Sequence, residues 1–259
     1  CEEWIEQYIA KMKIAIQRLG ASIDWTTEYR TMDPEYMRKI QLSFLMLYDK
    51  DFIYKGTHPI NYCIRCETAI ADAEVEHKNK NGFIYTIPFE TETGEVLIAT
   101  TRPVYLPACV ALGVNPDDKR YKHLIGEKAK VPITGHKVPI IANEEVDPEF
   151  GTGAMMICTY GDKSDVVAVA RYKLPVITLL DSRGHITEAG GKYAGMYIAK
   201  AQKEIINDLR EAGLIREEKQ LIQEDGLCWR CSTAIEIVAA QQWFFRTISL
   251  TDRVVKTAH

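Results

Sequence analysis

Between residues 2 and 19 the apolar side chains recur at spacings of three and four. Trp4, Ile5, Tyr8, Ile9, Met12, Ile16 and Leu19 share one face, which predicts an amphipathic helix stopped by Gly20. Asp33-Pro34 reads as an N-cap followed by proline at the first helical position. The helix it opens places Met37, Ile40, Phe44, Leu47 and Tyr48 on one side. After about residue 80 the pattern changes to short β-branched runs bounded by Gly, Pro or charged turns. Phe83–Ile87, Val96–Thr100, Val131–Ile133, Val138–Ala142 and Met155–Cys158 are predicted strands. Two helices interrupt them, Ser164–Tyr172 and Ile198–Gly213, the latter carrying Ile205, Ile206 and Leu209 and ending at a glycine.

Many short strands with few helices predict an α+β fold, a barrel-like sheet with surrounding helices. Three segments follow from the change of texture: a helical base over 1–78, a strand-rich domain over 79–217 and a return segment over 218–259. The formal charge of −4 removes a global basic field, so any contact with nucleic acid must be a local patch. Lys119–His123 and Lys128–Lys130 are the basic runs available, and runs of this kind are more often solvated faces. No run approaches the roughly 20 apolar residues of a membrane span. The acidic start, Cys-Glu-Glu-Trp, does not read as a secretion signal.

Cysteine spacing adds the first chemistry. The segment Cys63-Ile-Arg-Cys66-Glu-Thr-Ala-Ile70 returns as Cys228-Trp-Arg-Cys231-Ser-Thr-Ala-Ile235, with six of eight positions identical. Each copy is half of a tetrahedral metal site on a tight turn. Cys63, Cys66, Cys228 and Cys231 together form a closed four-thiolate set, predicting structural zinc; iron is chemically compatible with the same ligands. Two chance pairs of buried cysteines is the bland alternative, and the flanking repeat speaks against it. Seven cysteines, an odd number, with four in such pairs, point to a reducing compartment, hence cytoplasm. Well over half the chain lies between the two copies, so one ion would clamp the ends of a long excursion.

Two further clusters lie within that excursion. Thr100-Thr101-Arg102-Pro103 ends a predicted strand with two hydroxyls and a guanidinium, groups able to hold phosphate, ribose or a carbonyl oxygen. Alone it is a weak signal, because threonine is common in strands. Glu149-Phe-Gly151-Thr152-Gly153-Ala154 precedes a strand, and Thr159-Tyr-Gly-Asp162-Lys163-Ser-Asp165 follows it. The glycines permit close backbone approach to a ligand. Asp162 and Asp165 are either helix caps or an anionic wall for a ligand ammonium. Cys109 and Cys158 have apolar neighbours and read as packed. No Ser/His/Asp or Cys/His nucleophile set is present in the sequence.

Together these residues resemble the class I aminoacyl-tRNA synthetases for valine, isoleucine and leucine, along essentially the whole chain. Thr100–Pro103 is similar to that family's threonine-rich editing motif. Val138–Ala142, Asp147–Gly153, Asp162 and Asp165 are similar to its second editing motif. Leu19-Gly20, Asp24-Trp25 and Gln242–Phe244 resemble its flanking core. Leu106–Ala111, Met156–Lys163 and Glu67–Val75 are similar to the valine branch in its archaeal form; the isoleucine branch is the alternative. Met156 and Cys158 stand where bacterial relatives often carry Lys and Thr, and Val104 stands where the Thr-Arg-Pro motif is usually followed by Glu. The chain lacks the His-Ile-Gly-His and Lys-Met-Ser-Lys-Ser types of adenylate-forming signature.

The resemblance implies a monomeric piece of a larger synthetase, unable to activate an amino acid and equipped to hydrolyse a mischarged ester. Its partners would be the remainder of that synthetase and the 3′ end of tRNA(Val) carrying threonine. Asp165 would bind the α-ammonium. Asp162 would read the hydroxyl, helped by Thr159 or Lys163. Thr100, Thr101 and Arg102 would position the adenosine and the ester carbonyl, with Gly151, Thr152 and Gly153 beside them. A metal-clamped tRNA-binding module without chemistry is the competing reading.

Overall fold

The computed structural model describes residues 2–258, which fall into two compact units, 2–55 with 243–258, and Gly56–Gln242. Helices α1 (Glu2–Arg18) and α2 (Pro34–Asp49) dominate the first unit. Gly20, at φ +70°, ends α1 in the left-handed conformation that a glycine adopts without a Cβ penalty. Asp33 and Pro34 open α2 as predicted, although the Asp33 side chain makes no cap hydrogen bond. Within this unit Trp243 packs edge-on against Phe44, with ring centroids 5.3 Å apart, and Phe52 stacks on Phe245 at 5.9 Å.

The second unit is a mixed α+β body with a curled, half-barrel sheet. Strand β1 (Ile53–Cys63) crosses the unit boundary and ends in the first cysteine turn, where it pairs with β2 (Thr68–Ala69). β3 (Val75–Glu90) is far longer than its predicted core, Phe83–Ile87. It is followed by β4 (Glu95–Thr100), β5 (Cys109–Val114), β6 (Lys128–Lys130), β7 (Lys137–Ala142) and β8 (Ala154–Cys158). Helices α3 (Lys163–Tyr172) and α4 (Ile198–Glu211) precede β9 (Glu217–Cys228) and β10 (Glu236–Phe245), and α5 (Ile248–Ala258) closes the first unit.

Sheet order runs β4-β3-β6-β7-β5-β8, with β9 also paired to β3. β3 and β4 alternate in burial: Ile87 and Phe89 face Val96 and Ile98 in the core. Burying a side chain such as Phe89 contributes about 1.5–3 kcal/mol. β5 is buried along its whole length, parallel to β7 on one side and antiparallel to β8 on the other. That explains its uninterrupted apolar sequence, which showed no period to read.

One predicted strand is corrected. Val131–Ile133 lies beyond the end of β6 in a turn, with Ile133 at φ +67°. Pro132 has no N–H for a ladder, and Gly135 N–H closes the turn onto the Val131 carbonyl at 2.9 Å. The basic runs are solvated or paired within the protein: Arg120 is held by Asp118 and Lys130 by Glu90.

The outer half of β3 and β9 form a two-stranded ribbon in which Val75 lies opposite Cys228 and Thr86 opposite Glu217. The chain therefore leaves the cysteine cluster on β3 and returns to it on β9. Residues between the ends of this ribbon are hung from the cluster, the arrangement expected from the repeat.

Candidate functional site

The two cysteine turns have the same local geometry. Glu67 (φ +50°) and Ser232 (φ +54°), each just after a second cysteine, occupy the left-handed region. This reverses the backbone so that both thiols of a turn face one point. Cys66 N–H donates to Cys63 Sγ at 3.3 Å, and Cys228 N–H donates to the Thr233 carbonyl at 2.8 Å. All four sulfurs lie within 4.8 Å of one another, with Cys63 and Cys231 at 3.5 Å. Four thiolates around zinc at ~2.3 Å require sulfur–sulfur edges of roughly 3.8 Å. The donor set fits such an ion with small adjustment and leaves no ligand position for water.

A cavity of about 780 Å³ lies between the ribbon, the end of β4, the start of α3 and α4, and the segment entering β10. Thr100, Thr101, Arg102, Asp162, Lys163 and Asp165 all line it, so the two clusters separated in sequence do meet. Thr100 is the last residue of β4, and its hydroxyl accepts a 3.1 Å hydrogen bond from Arg102 N–H. Gln202 on α4 fixes the turn from the other side. Its amide donates to the Thr101 carbonyl at 3.1 Å and accepts from Val104 N–H at 2.8 Å.

Arg102 is held between an acid and a ring. Its Nη2 donates to both carboxylate oxygens of Glu236, at 2.8 and 2.7 Å, and its guanidinium lies 4.7 Å from the centre of the Tyr105 ring. Tyr105 Oη donates to Glu236 at 2.8 Å. Burial opposes the charge on Arg102, but the Glu236 carboxylate outweighs it and raises the guanidinium pKa above its ordinary value. Burial likewise pushes the Tyr105 hydroxyl well above its usual range.

Across the cavity, Asp162 caps α3, its carboxylate accepting from Asp165 N–H at 2.9 Å and Ser164 Oγ at 2.7 Å. Its expected capping geometry is therefore present together with its place on the cavity wall. Asp165 is 5% exposed and accepts from Cys158 N–H at 3.1 Å. Burial, reinforced by the Asp162 charge, raises its pKa to about 7. A carboxylate in this state gains most from an incoming ammonium, which restores the charge partner lost with water. Lys163 reaches Asp72 at 2.7 Å.

Four predicted residues fall outside the cavity lining. Thr159 is buried, and its hydroxyl accepts from Ile177 N–H at 3.1 Å, so it anchors the segment after α3. Gly151 and Gly153 adopt positive φ, and at Gly153 the group that approaches closely belongs to the protein. A Cβ at Gly153 would lie 2.3 Å from Arg120 Nη2 and 2.8 Å from the Pro148 carbonyl. The Thr152 carbonyl accepts from Tyr121 Oη at 3.1 Å.

Met156 and Cys158 line the cavity. Cys158 sits opposite Cys109 across β5 and β8, and burial holds its thiol well above the ordinary pKa, which removes it as a nucleophile. His77, also on the wall, is exposed and bonded to Glu224 at 2.8 Å on the ribbon. The site thus holds polar groups able to orient a ligand and stabilise charge, without an activated protein nucleophile. Glu236, Tyr105 and Gln202 were not identified from the sequence. Glu236 left one trace, a single acid inside the apolar run Ala234-Ile-Glu-Ile-Val-Ala-Ala240.

Residues 1–259 match the family described as tRNA synthetases class I (I, L, M and V). The valine–tRNA ligase of Methanocaldococcus jannaschii is 47% identical over 260 residues, covering 100% of this chain and 30% of that protein. That of Methanosarcina mazei is 49% identical over 246 residues, covering 95% of this chain and 28% of that protein. The chain thus spans about 30% of the length of the curated relatives it matches. Among solved structures, the Agrobacterium radiobacter K84 agnB2 LeuRS of a LeuRS-tRNA-LeuAMS complex shares 18% identity at a TM-score of 0.40, over 86% of this chain and 36% of that one. With a family match along its whole length and valine–tRNA ligases as its homologues, the chain belongs to the class I tRNA synthetases of the isoleucine, leucine, methionine and valine group.

Proposed function

We propose that this chain carries the editing site of a valine–tRNA ligase and hydrolyses threonine esterified to the 3′ end of tRNA(Val). The observation that supports this most is the meeting of Thr100–Arg102 with Asp165 across one cavity. Threonine and valine have nearly the same shape. For valine-specific synthetases, the standing example of this problem, an apolar pocket rejects threonine by only about 100-fold. A polar pocket reverses the preference, because valine leaves its donors and acceptors unsatisfied.

In this reading Asp165 binds the α-ammonium and Asp162, beside Lys163, reads the threonine hydroxyl. Thr100, Thr101 and Arg102 place the terminal adenosine and the ester carbonyl. Water adds to the carbonyl carbon, the bond to the ribose oxygen breaks, that oxygen takes a proton and threonine leaves. An ester needs positioning and charge stabilisation more than a protein nucleophile, and the site offers those. Residues 79–217 are the editing domain, 1–78 and 218–259 its base. The base carries structural zinc on Cys63, Cys66, Cys228 and Cys231 and joins the domain to the rest of a cytoplasmic, monomeric synthetase.

Incubation with Thr-tRNA(Val), Val-tRNA(Val) and Val-tRNA(Ile) tests the proposal. Selective loss of the threonyl ester, abolished by Asp165→Ala, is the expected result. Equal slow decay of all three, with tRNA still bound, would make the chain a binding module. Preference for Val-tRNA(Ile) would move it to the isoleucine branch.

A further inference from the structure

Arg102 is the one cation at the centre of the Thr100–Arg102 turn, and its position is not set by that turn alone. The partner that holds it, Glu236, comes from the far end of the sequence, five residues beyond the last cysteine of the cluster. Glu236 is 4% exposed, among the few buried charged groups among the described residues. A buried carboxylate is costly unless it is paired and its lone pairs are used. Here both oxygens accept from Arg102 Nη2 and one also accepts from Tyr105 Oη.

The arrangement restrains the guanidinium from three sides. Glu236 takes Nη2, the Gly161 carbonyl lies 3.5 Å from Nη1, and the Tyr105 ring covers one face at 4.7 Å. Arg102 still lines the cavity, with 37% of its side chain exposed. The backbone that delivers Glu236 is itself fixed beside the second cysteine turn, against the end of β9. Ile235 N–H donates to the Gly226 carbonyl at 2.9 Å, and Leu227 bridges to Ala234.

We infer that Glu236 is a positioning residue: it locks the Arg102 guanidinium on the cavity wall, and the cysteine cluster places Glu236 in register to do so. Its effect on ester hydrolysis rests on the editing reading above; its effect on Arg102 does not. Replacement by glutamine keeps the volume and one acceptor but removes the charge and the second acceptor. A misplacement of about 1 Å at a positioning group is worth on the order of 100-fold in rate.

The test combines an activity cycle with a direct view of the guanidinium. Chains labelled with 15N-arginine are compared as wild type, Glu236→Gln and Tyr105→Phe, with Arg102→Lys assigning the Arg102 signals. Resolved Nη resonances, reporting blocked rotation, are expected in the wild type. They should average in Glu236→Gln and survive in Tyr105→Phe. Deacylation of Thr-tRNA(Val) should fall roughly 10- to 100-fold in Glu236→Gln, and Glu236→Gln/Arg102→Ala should match Arg102→Ala within about twofold. Thermal unfolding of each variant separates loss of fold from loss of position. Averaged Arg102 signals in the wild type, or blocked rotation persisting in Glu236→Gln, would overturn the inference. So would losses that add in the double variant. If the wild type leaves the ester intact, the editing reading fails, and the resonance comparison still decides whether Glu236 holds Arg102.

Discussion

The cysteine cluster and the cavity belong to the same unit of the chain and are assembled in different ways. Each half of the cluster is made by four consecutive residues and one left-handed backbone position, so its geometry is local. The cavity takes single groups from the end of β4, the β8–α3 turn, α4 and β10, so its geometry exists only once the unit has folded. The cluster has a closed donor set and no room for a substrate. The cavity has open polar groups and a buried carboxylate whose charge is incompletely compensated. In the proposed reading one region holds shape and the other carries chemistry, and Glu236 is where the first reaches into the second.

The largest expected effect separates the two regions outright. Asp165→Ala removes the only buried carboxylate among the described residues on the α3 side of the cavity while leaving every cysteine in place. Deacylation of Thr-tRNA(Val) should fall by about 1,000-fold, the scale for loss of one preorganised electrostatic partner. Bound zinc, measured by plasma mass spectrometry, should stay at one ion per chain. Loss of metal in this variant would show that cavity and cluster are a single cooperative structure.

The reverse experiment is Cys63→Ser with Cys228→Ser, one ligand removed from each turn. Zinc content should fall to zero and the unfolding free energy by several kcal/mol, below the roughly 10–16 kcal/mol that structural zinc supplies in zinc-finger peptides. Deacylation should fall less than in Asp165→Ala, because the groups proposed to act on the ester remain and only the delivery of Glu236 is loosened. Full activity in a metal-free chain would break the proposed link between the regions.

This difference also explains what was legible in the sequence. The turns could be read because Cys63–Ile70 and Cys228–Ile235 repeat a local pattern whose chemistry depends on little else. Helices α1 and α2 were legible for the same reason, through their period and the Asp33-Pro34 start. Thr100–Arg102 and Asp162–Asp165 were visible as candidates, and the resemblance to the synthetases gave them an order. The sequence did not show that Arg102 would find its counter-charge on β10, because that pairing depends on the closing of the β3–β9 ribbon. Gly151 and Gly153 were read as permitting close backbone approach to a ligand; at Gly153 the protein's own Arg120 makes a close approach, and sequence alone does not distinguish the two.

A smaller effect, with a definite sign, comes from pH. The Asp165 carboxyl titrates at about 7 in the folded chain and near 4 when unfolded. Its folded state therefore favours the protonated form. The contribution to stability is complete below about pH 4 and is lost as the pH rises through about 7. Binding an ammonium requires the opposite form, so deacylation should increase roughly fivefold between pH 6 and about 7.5. It should flatten above that as the substrate's own α-amino group, near 7.7–8.0, loses its proton. A flat profile over pH 6 to 7.5 would remove Asp165 as the ammonium site.

The smallest effect tests whether the cysteine turns act through shape alone. Ser232 holds φ +54° immediately after Cys231, a conformation that costs an L-residue about 1–2 kcal/mol. Ser232→Gly removes that strain but gives the unfolded chain more freedom, worth about 0.4–1 kcal/mol in the other direction. The net result should be a gain between zero and about 1.6 kcal/mol in unfolding free energy, read from denaturant midpoints at constant slope. Rate and pH profile of deacylation should be unchanged, since the sulfurs and the backbone path to Glu236 stay where they are. A stabilised chain with altered kinetics would mean that the turn's flexibility, and not only its position, is transmitted to Arg102. The matching change at Glu67, φ +50°, should behave alike after allowance for its 3.4 Å contact with Arg183. That contact is exposed and contributes at most about 1 kcal/mol. Equal responses in the two turns would show that the repeat seen in the sequence is also a repeat in energy, while a difference would assign to the second turn alone the task of placing Glu236.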